Sequence, residues 1–248
     1  MDLVDIAILT VAVFFTSALT TATGVGGGTI LLALMLQIMP PAAAIPVHGA
    51  VQAVSNGWRI WLLRDHFVWP LILRFGLPMP LGVALGLWLF QELPKETVQI
   101  LIGCTILLTL FSRSLKALRE RDLPLWAFVP LGFAVGALNM VVGVVVPVLS
   151  AFLIRRDLSR EKIVSTISVF SLIGHVLKVI GFSLVGFSFA EYGWAIVIMI
   201  PAIIVGTYFG RHLLSRLSDA LFQNAMKVVL AFLALKLIVW DSLLRGGW

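Results

Sequence analysis

Long apolar runs separated by short polar breaks recur from one end of the chain to the other. They predict ten hydrophobic segments. In the first half these lie near 5–23, 29–39, 42–63, 67–90 and 97–115. In the second they lie near 124–142, 144–154, 161–186, 191–214 and 219–241. The second member of each half holds only about eleven residues, roughly 16 Å of helix, against a hydrocarbon core of about 30 Å. Each half therefore has four long segments and one short one that is broken or re-entrant. The pattern predicts an all-α polytopic membrane protein.

The two halves read as structural repeats, residues 1–116 and 124–248, joined by a basic linker at 117–123. Gly28 matches Gly143, each at the start of a short segment. Gly82 and Gly86 match Gly206 and Gly210, and Gln99 matches Gln223 at the same spacing. Such weak internal symmetry is the usual sequence trace of a transporter. Arg113, Lys116, Arg119 and Arg121 mark the linker as cytoplasmic, and two further basic clusters, Arg155 to Lys162 and Arg211 with Arg216, follow it. If both short segments cross, the repeats are inverted and both termini lie outside. If either re-enters, that count changes.

The stretch "TTATGVGGGTILLALML" places Gly24, Gly26, Gly27 and Gly28 just before a short helix that opens near Thr29. The first N–H groups of a helix have no intrahelical acceptor, and the helix dipole adds partial positive charge there. Glycines let a ligand approach that backbone. The expectation is an anion cradle; the alternative is that the glycines only allow tight helix packing. In the second half, "NMVVGVVVPVLS" keeps Gly143, with Pro147 in the following turn and Asn139 as a nearby amide.

The third segment of each half carries a polar stripe. His48, Gln52, Ser55 and Arg59 recur at helical spacing, with Asn56 at the margin; Ser168, Ser171, His175 and Lys178 do the same. At one common shift Gln52 falls on Ser171, Asn56 on His175 and Arg59 on Lys178. A polar face on a membrane helix should look into the protein or a water-filled cavity. The candidate substrate-binding residues are thus Gly24, Gly26, Gly27, Gly28, Thr29, His48, Gln52, Asn56, Arg59, Asn139, Gly143, Ser168, Ser171, His175 and Lys178. His48 and His175 read either as hydrogen-bonded structural residues or as proton carriers.

Charge sharpens the picture. Arg59, Arg74, Lys178, Lys227 and Lys236 fall inside predicted spans, whereas every Asp and Glu falls at an end or in a loop. A cation pathway normally needs carboxylates or carbonyl cages. Basic side chains, hydroxyls, amides and free N–H groups suit a small anion. Arg74 and Lys236 are expected to snorkel to the interface.

Composition agrees. Hydrophobic residues make up 60% of the 248 and charged ones 12%, about half the usual share for a soluble domain. The net charge of +6 is explained by basic cytoplasmic loops, so no nucleic-acid partner is expected. A single cysteine, Cys104, leaves no disulfide framework or cysteine-rich metal site. The start "MDLVDIAILT" lacks the basic stretch of a cleaved signal, so the first helix is expected to stay. No H-E-x-x-H, G-x-S-x-G or P-loop motif occurs, and neither a cofactor nor an enzyme activity is expected.

With "TSALTTATGVGGGTILLALML" in one half, "GFAVGALNMVVGVVVPVLSAFL" in the other and a late G-x3-G element in each, the chain resembles the TauE/SafE sulfite exporter family over about residues 5–240. The resemblance implies a multi-pass protein of the bacterial-type inner membrane that exports or takes up sulfite, sulfoacetate or related organosulfonates. Family members usually carry more glycines at the second break; here Val141 and Val142 stand in their place. The leading expectation is a secondary transporter that holds a small sulfur oxyanion between its two broken regions. Proton coupling and a homodimer are further expectations. A passive anion channel with the same lining is the alternative, and a membrane enzyme or non-transporting assembly partner the third reading.

Overall fold

Where the first long apolar run meets the glycine cluster, the chain breaks and a second helix starts. Helix α1 covers Leu3–Thr23, and α2 covers Gly27–Ile38. Between them Gly26 takes φ 103, in the left-handed range that a side chain resists. Gly27 and Gly28, expected outside the short helix, form its first turn instead. With 12 residues, α2 is about 18 Å long and does not span the hydrocarbon alone. It stops because Pro40 and Pro41 have no N–H to continue the ladder; Pro41 opens α3, which runs Pro41–Leu62.

The computed structural model describes residues 1–23, 26–112, 123–143 and 158–213, together with 231, 235, 236, 238 and 239. Gly24, the short segment at 144–154, most of the linker and most of the last segment lie outside the described residues. Within them every regular element is helical. The expected segment at 67–90 divides into α4, Trp69–Gly76, and α5, Met79–Glu92. Pro78 and Pro80 cause the division: neither can donate a ladder hydrogen bond, so α4 closes at Leu77 and α5 restarts beyond it. Then come α6, Lys95–Ser112, and α7, Phe128–Val141. The remaining long elements are α8, Arg160–Leu184, and α9, Ala190–Leu213. Ser159 caps α8 by accepting from the Lys162 amide.

Four stretches are long and apolar enough to cross a membrane: Leu3–Ala22, Trp69–Glu92, Glu161–Leu184 and Ala190–Gly210. Their outward residues are apolar, as with Ile8, Val11 and Phe15 on α1 and Leu81, Leu85 and Trp88 on α5. Water would penalise such faces, whereas lipid does not. Trp69, Trp126 and Trp194 are exposed near helix starts, where interfacial anchors belong. By contrast α3 is enclosed: its only exposed residues are Ala42 near its start and Trp61 near its end.

Helix pairing follows the glycines. An added Cβ at Gly82 or Gly86 of α5 would run into the backbone carbonyls of Phe133 and Ala137 on α7. The same addition at Gly206 or Gly210 of α9 would meet the carbonyls of Phe14 and Ala18 on α1. Both G-x3-G elements are close-packing surfaces, as such motifs usually are. Between these pairs α3 packs on α8, crossing at His48 and Gly49 against His175 and Lys178. At the other end Ser165 Oγ donates to the His66 carbonyl at 2.6 Å, and the Val68 amide donates to Thr166 Oγ1 at 3.3 Å. Low numbers on one helix meet high numbers on the other, so α3 and α8 run antiparallel.

Candidate functional site

The interior along α3 and α8 is polar, and its charge has one sign. Among the described residues, the buried side chains include Arg59, Lys178, His48 and His175, and no Asp or Glu. Four elements bring the chemistry together: the start of α2, the middle of α3, the end of α7 and the middle of α8.

At the start of α2 the amides of Gly27, Gly28 and Thr29 have no acceptor within their own helix; the first ladder bond is Ile30 N–H to the Gly26 carbonyl. The glycines here do different jobs. Gly26 supplies the positive φ, and an added Cβ there would meet nothing. Gly27 is pressed on α1, where a Cβ would collide with the Thr16 carbonyl and Thr20 Oγ1. Gly28 admits the Gln52 amide, which occupies the space a side chain would need. Thr29 is buried, and its Oγ1 has no hydrogen-bond partner among the described residues.

From α3, His48 Nε2 lies 2.9 Å from the Gly28 carbonyl. A carbonyl can only accept, so Nε2 carries the hydrogen and the Nδ1 of the neutral ring is an acceptor. That Nδ1 is buried with no partner among the described residues, as is Nδ1 of His175. The two rings meet edge to face with centroids 5.6 Å apart.

At the second break Gly143 takes φ 79 and closes α7, with the Val142 amide bonding back to Leu138. An added Cβ at Gly143 would come within 2.6 Å of Leu32, one turn beyond Gly28 on α2, so the two breaks converge. Lys178 Nζ donates to the Gly143 carbonyl at 2.8 Å and to Asn139 Oδ1 at 3.1 Å. The ammonium thus sits at the negative end of α7, a favourable place for a cation. At this break it is the Gly143 carbonyl that is engaged. Val144 and Val145, which follow it, lie outside the described residues.

Arg59 stands apart from this cluster, about 10 Å along α3 from Gln52. Its Nη1 donates to Asn56 Oδ1 at 3.0 Å and its Nη2 to Ser55 Oγ at 3.4 Å, while Asn56 Nδ2 donates to the Gln52 carbonyl. The antiparallel register sets Ser168 and Ser171 toward that end. Both are buried, and each hydroxyl donates to its own helix backbone, leaving oxygen lone pairs. The predicted residues therefore fall into two groups: Gly26 to Thr29, His48, Gln52, Asn139, Gly143, His175 and Lys178 at the convergence of the breaks, and Asn56, Arg59, Ser168 and Ser171 further along the stripe. Gly49 was missed. Its signal was a glycine inside a helix, directly beside a polar stripe.

Chemically, such an arrangement suits a small anion. Backbone and side-chain donors converge, the partners of the buried Lys178 among the described residues are neutral oxygens, and two imidazole nitrogens can accept or relay a proton. Fold and site together define an integral, multi-pass membrane protein with a cationic interior. A family model, Sulfite exporter TauE/SafE, matches residues 9–237. The chain belongs to that family, a family of transporters of sulfur anions. Comparisons with curated proteins and with solved structures gave no match.

Proposed function

We propose that this chain is a secondary transporter that exports small sulfur-containing oxyanions such as sulfite or an organosulfonate. The anion lies where the two breaks converge, its oxygens taking hydrogen bonds from the first-turn amides of α2 and from Gln52. One observation carries this reading: Lys178 is completely buried, yet its partners among the described residues are neutral oxygens rather than carboxylates. An arriving anion gains attraction in a low-dielectric interior without first displacing a counter-charge.

Residues 1–116 and 124–248 act as inverted repeats that rock against each other to expose the site alternately. The antiparallel run of α3 and α8 supports inversion. The reciprocal packing, α5 of the first half on α7 of the second and α1 of the first on α9 of the second, supports the repeat itself. His48 and His175, which meet across the halves, are the seat of proton coupling in this scheme.

The test is flux of labelled sulfite, sulfate and sulfoacetate in liposomes bearing the purified protein, with and without a pH gradient. Saturable counterflow of a sulfur oxyanion supports the carrier. Single-channel currents support a passive pore with the same lining. Transport of sodium or a neutral amino acid in its place contradicts the reading.

A further inference from the structure

The geometry points to Gly49 as a positioning residue: we propose that Gly49 on α3, with Gly174 on α8, keeps open the slot through which Lys178 reaches the second break. The inference rests on the anion-binding role given to Lys178 above.

Glycine is unfavourable inside a helix unless something needs the space. Helix α3 has two interior glycines that differ sharply in surroundings. At Gly57 an added Cβ would meet nothing within 4 Å. At Gly49 it would come 2.8 Å from Cδ and 3.3 Å from Cγ of Lys178. The lysine stem cannot retreat freely, because its Nζ is tied to Gly143 and Asn139. Helix α8 repeats the contrast. At Gly174 a Cβ would come 3.0 Å from Asn139 Nδ2 and 2.8 Å from Met79 Cε, whereas at Gly181 its nearest contacts are an ordinary 3.4 Å.

Two facing helices thus each omit a side chain where the Lys178–Asn139 pair passes. Alanine at position 49 pushes the stem aside and draws the ammonium off the Gly143 carbonyl. The charge remains in the protein but leaves the place where the breaks converge. Substrate affinity should suffer more than maximal rate.

A double-mutant cycle of Gly49→Ala and Lys178→Ala, read as unfolding temperature in detergent, tests this together with KM for sulfite in liposomes for Gly49→Ala alone. Gly49→Ala alone is expected to raise KM about tenfold, with maximal rate changed far less. In the Lys178→Ala background, where flux is at background and no KM can be read, it is expected to leave the unfolding temperature unchanged. Gly57→Ala should keep the wild-type KM. Additive effects on unfolding temperature, or a wild-type KM for Gly49→Ala, overturn the proposal. Should Gly49→Ala fail to fold, recovery of folded protein in the double variant supports it, and no recovery overturns it. If the wild-type protein carries no sulfur oxyanion, the functional proposal fails by itself, and the unfolding cycle still decides whether Gly49 seats Lys178.

Discussion

His48 donates a 2.9 Å hydrogen bond to the carbonyl of Gly28, linking the middle of α3 to the first turn of α2. The bond fixes the ring's tautomer and ties the ring to the short helix beside it. His48→Ala should destabilise the protein by about 2 kcal/mol, from a lost buried hydrogen bond and the cavity left behind. Sulfur-oxyanion flux should fall about tenfold or more. His48→Gln, which can still donate, should recover part of the stability. Thermal unfolding in detergent beside liposome flux checks this pair.

A side chain at Gly28 is expected to act through Gln52, for a reason separate from backbone freedom. An alanine methyl there collides with the Gln52 amide and displaces it from the start of α2. Gly28→Ala should weaken anion binding while the protein still folds, and shortening the partner in a Gly28→Ala/Gln52→Ser variant should not restore affinity. Gly26→Ala has open space and suffers from its positive φ instead, costing about 1–2 kcal/mol. Calorimetric titration with sulfite separates the two effects.

Lys178→Met separates stability from function. Exchanging a buried ion for an apolar side chain of similar volume is often neutral or stabilising. The variant should therefore unfold within about 2 kcal/mol of the wild type, although Asn139 and Gly143 lose a donor. Its sulfite flux should nevertheless drop to background. Near-normal flux with poor stability would make Lys178 a structural residue only.

The helix pairs offer a prediction free of any substrate. Gly206→Leu on α9 forces a side chain into the carbonyl of Phe14, and Gly82→Leu on α5 does the same at Phe133. Each should destabilise the protein by several kcal/mol. Gly193→Ala, where an added methyl meets nothing within 4 Å, should keep or slightly raise the unfolding temperature. Unfolding in detergent reads all three.

What the sequence could disclose depended on how local the cause was. The break at Gly26 and the stop at Pro40 follow from backbone chemistry within a few residues, so both could be read directly. The stripe of His48, Gln52 and Arg59 was legible because helical periodicity places those residues on one face. The division of α4 from α5 was hidden by unbroken hydropathy from Trp69 to Glu92, which outweighed the evidence of Pro78 and Pro80. Partnerships were the least legible. That Lys178 engages Asn139 and Gly143, and that Arg59 turns to Asn56 and Ser55 instead, is decided by helix crossing and rotamer. The double duty of the glycine run was equally invisible: Gly27 against α1 and Gly28 against Gln52 differ by one position and so by about 100° of helix.

The most direct test locates the anion. Selenite has the shape and charge of sulfite, and its selenium can be placed by anomalous diffraction from crystals of the protein grown with it. The account predicts selenite oxygens within about 3.2 Å of the Gly28 or Thr29 amides and of Gln52, on the side of α2 that faces Lys178. Selenite bound elsewhere in the protein, with the start of α2 dry and unliganded, would contradict it.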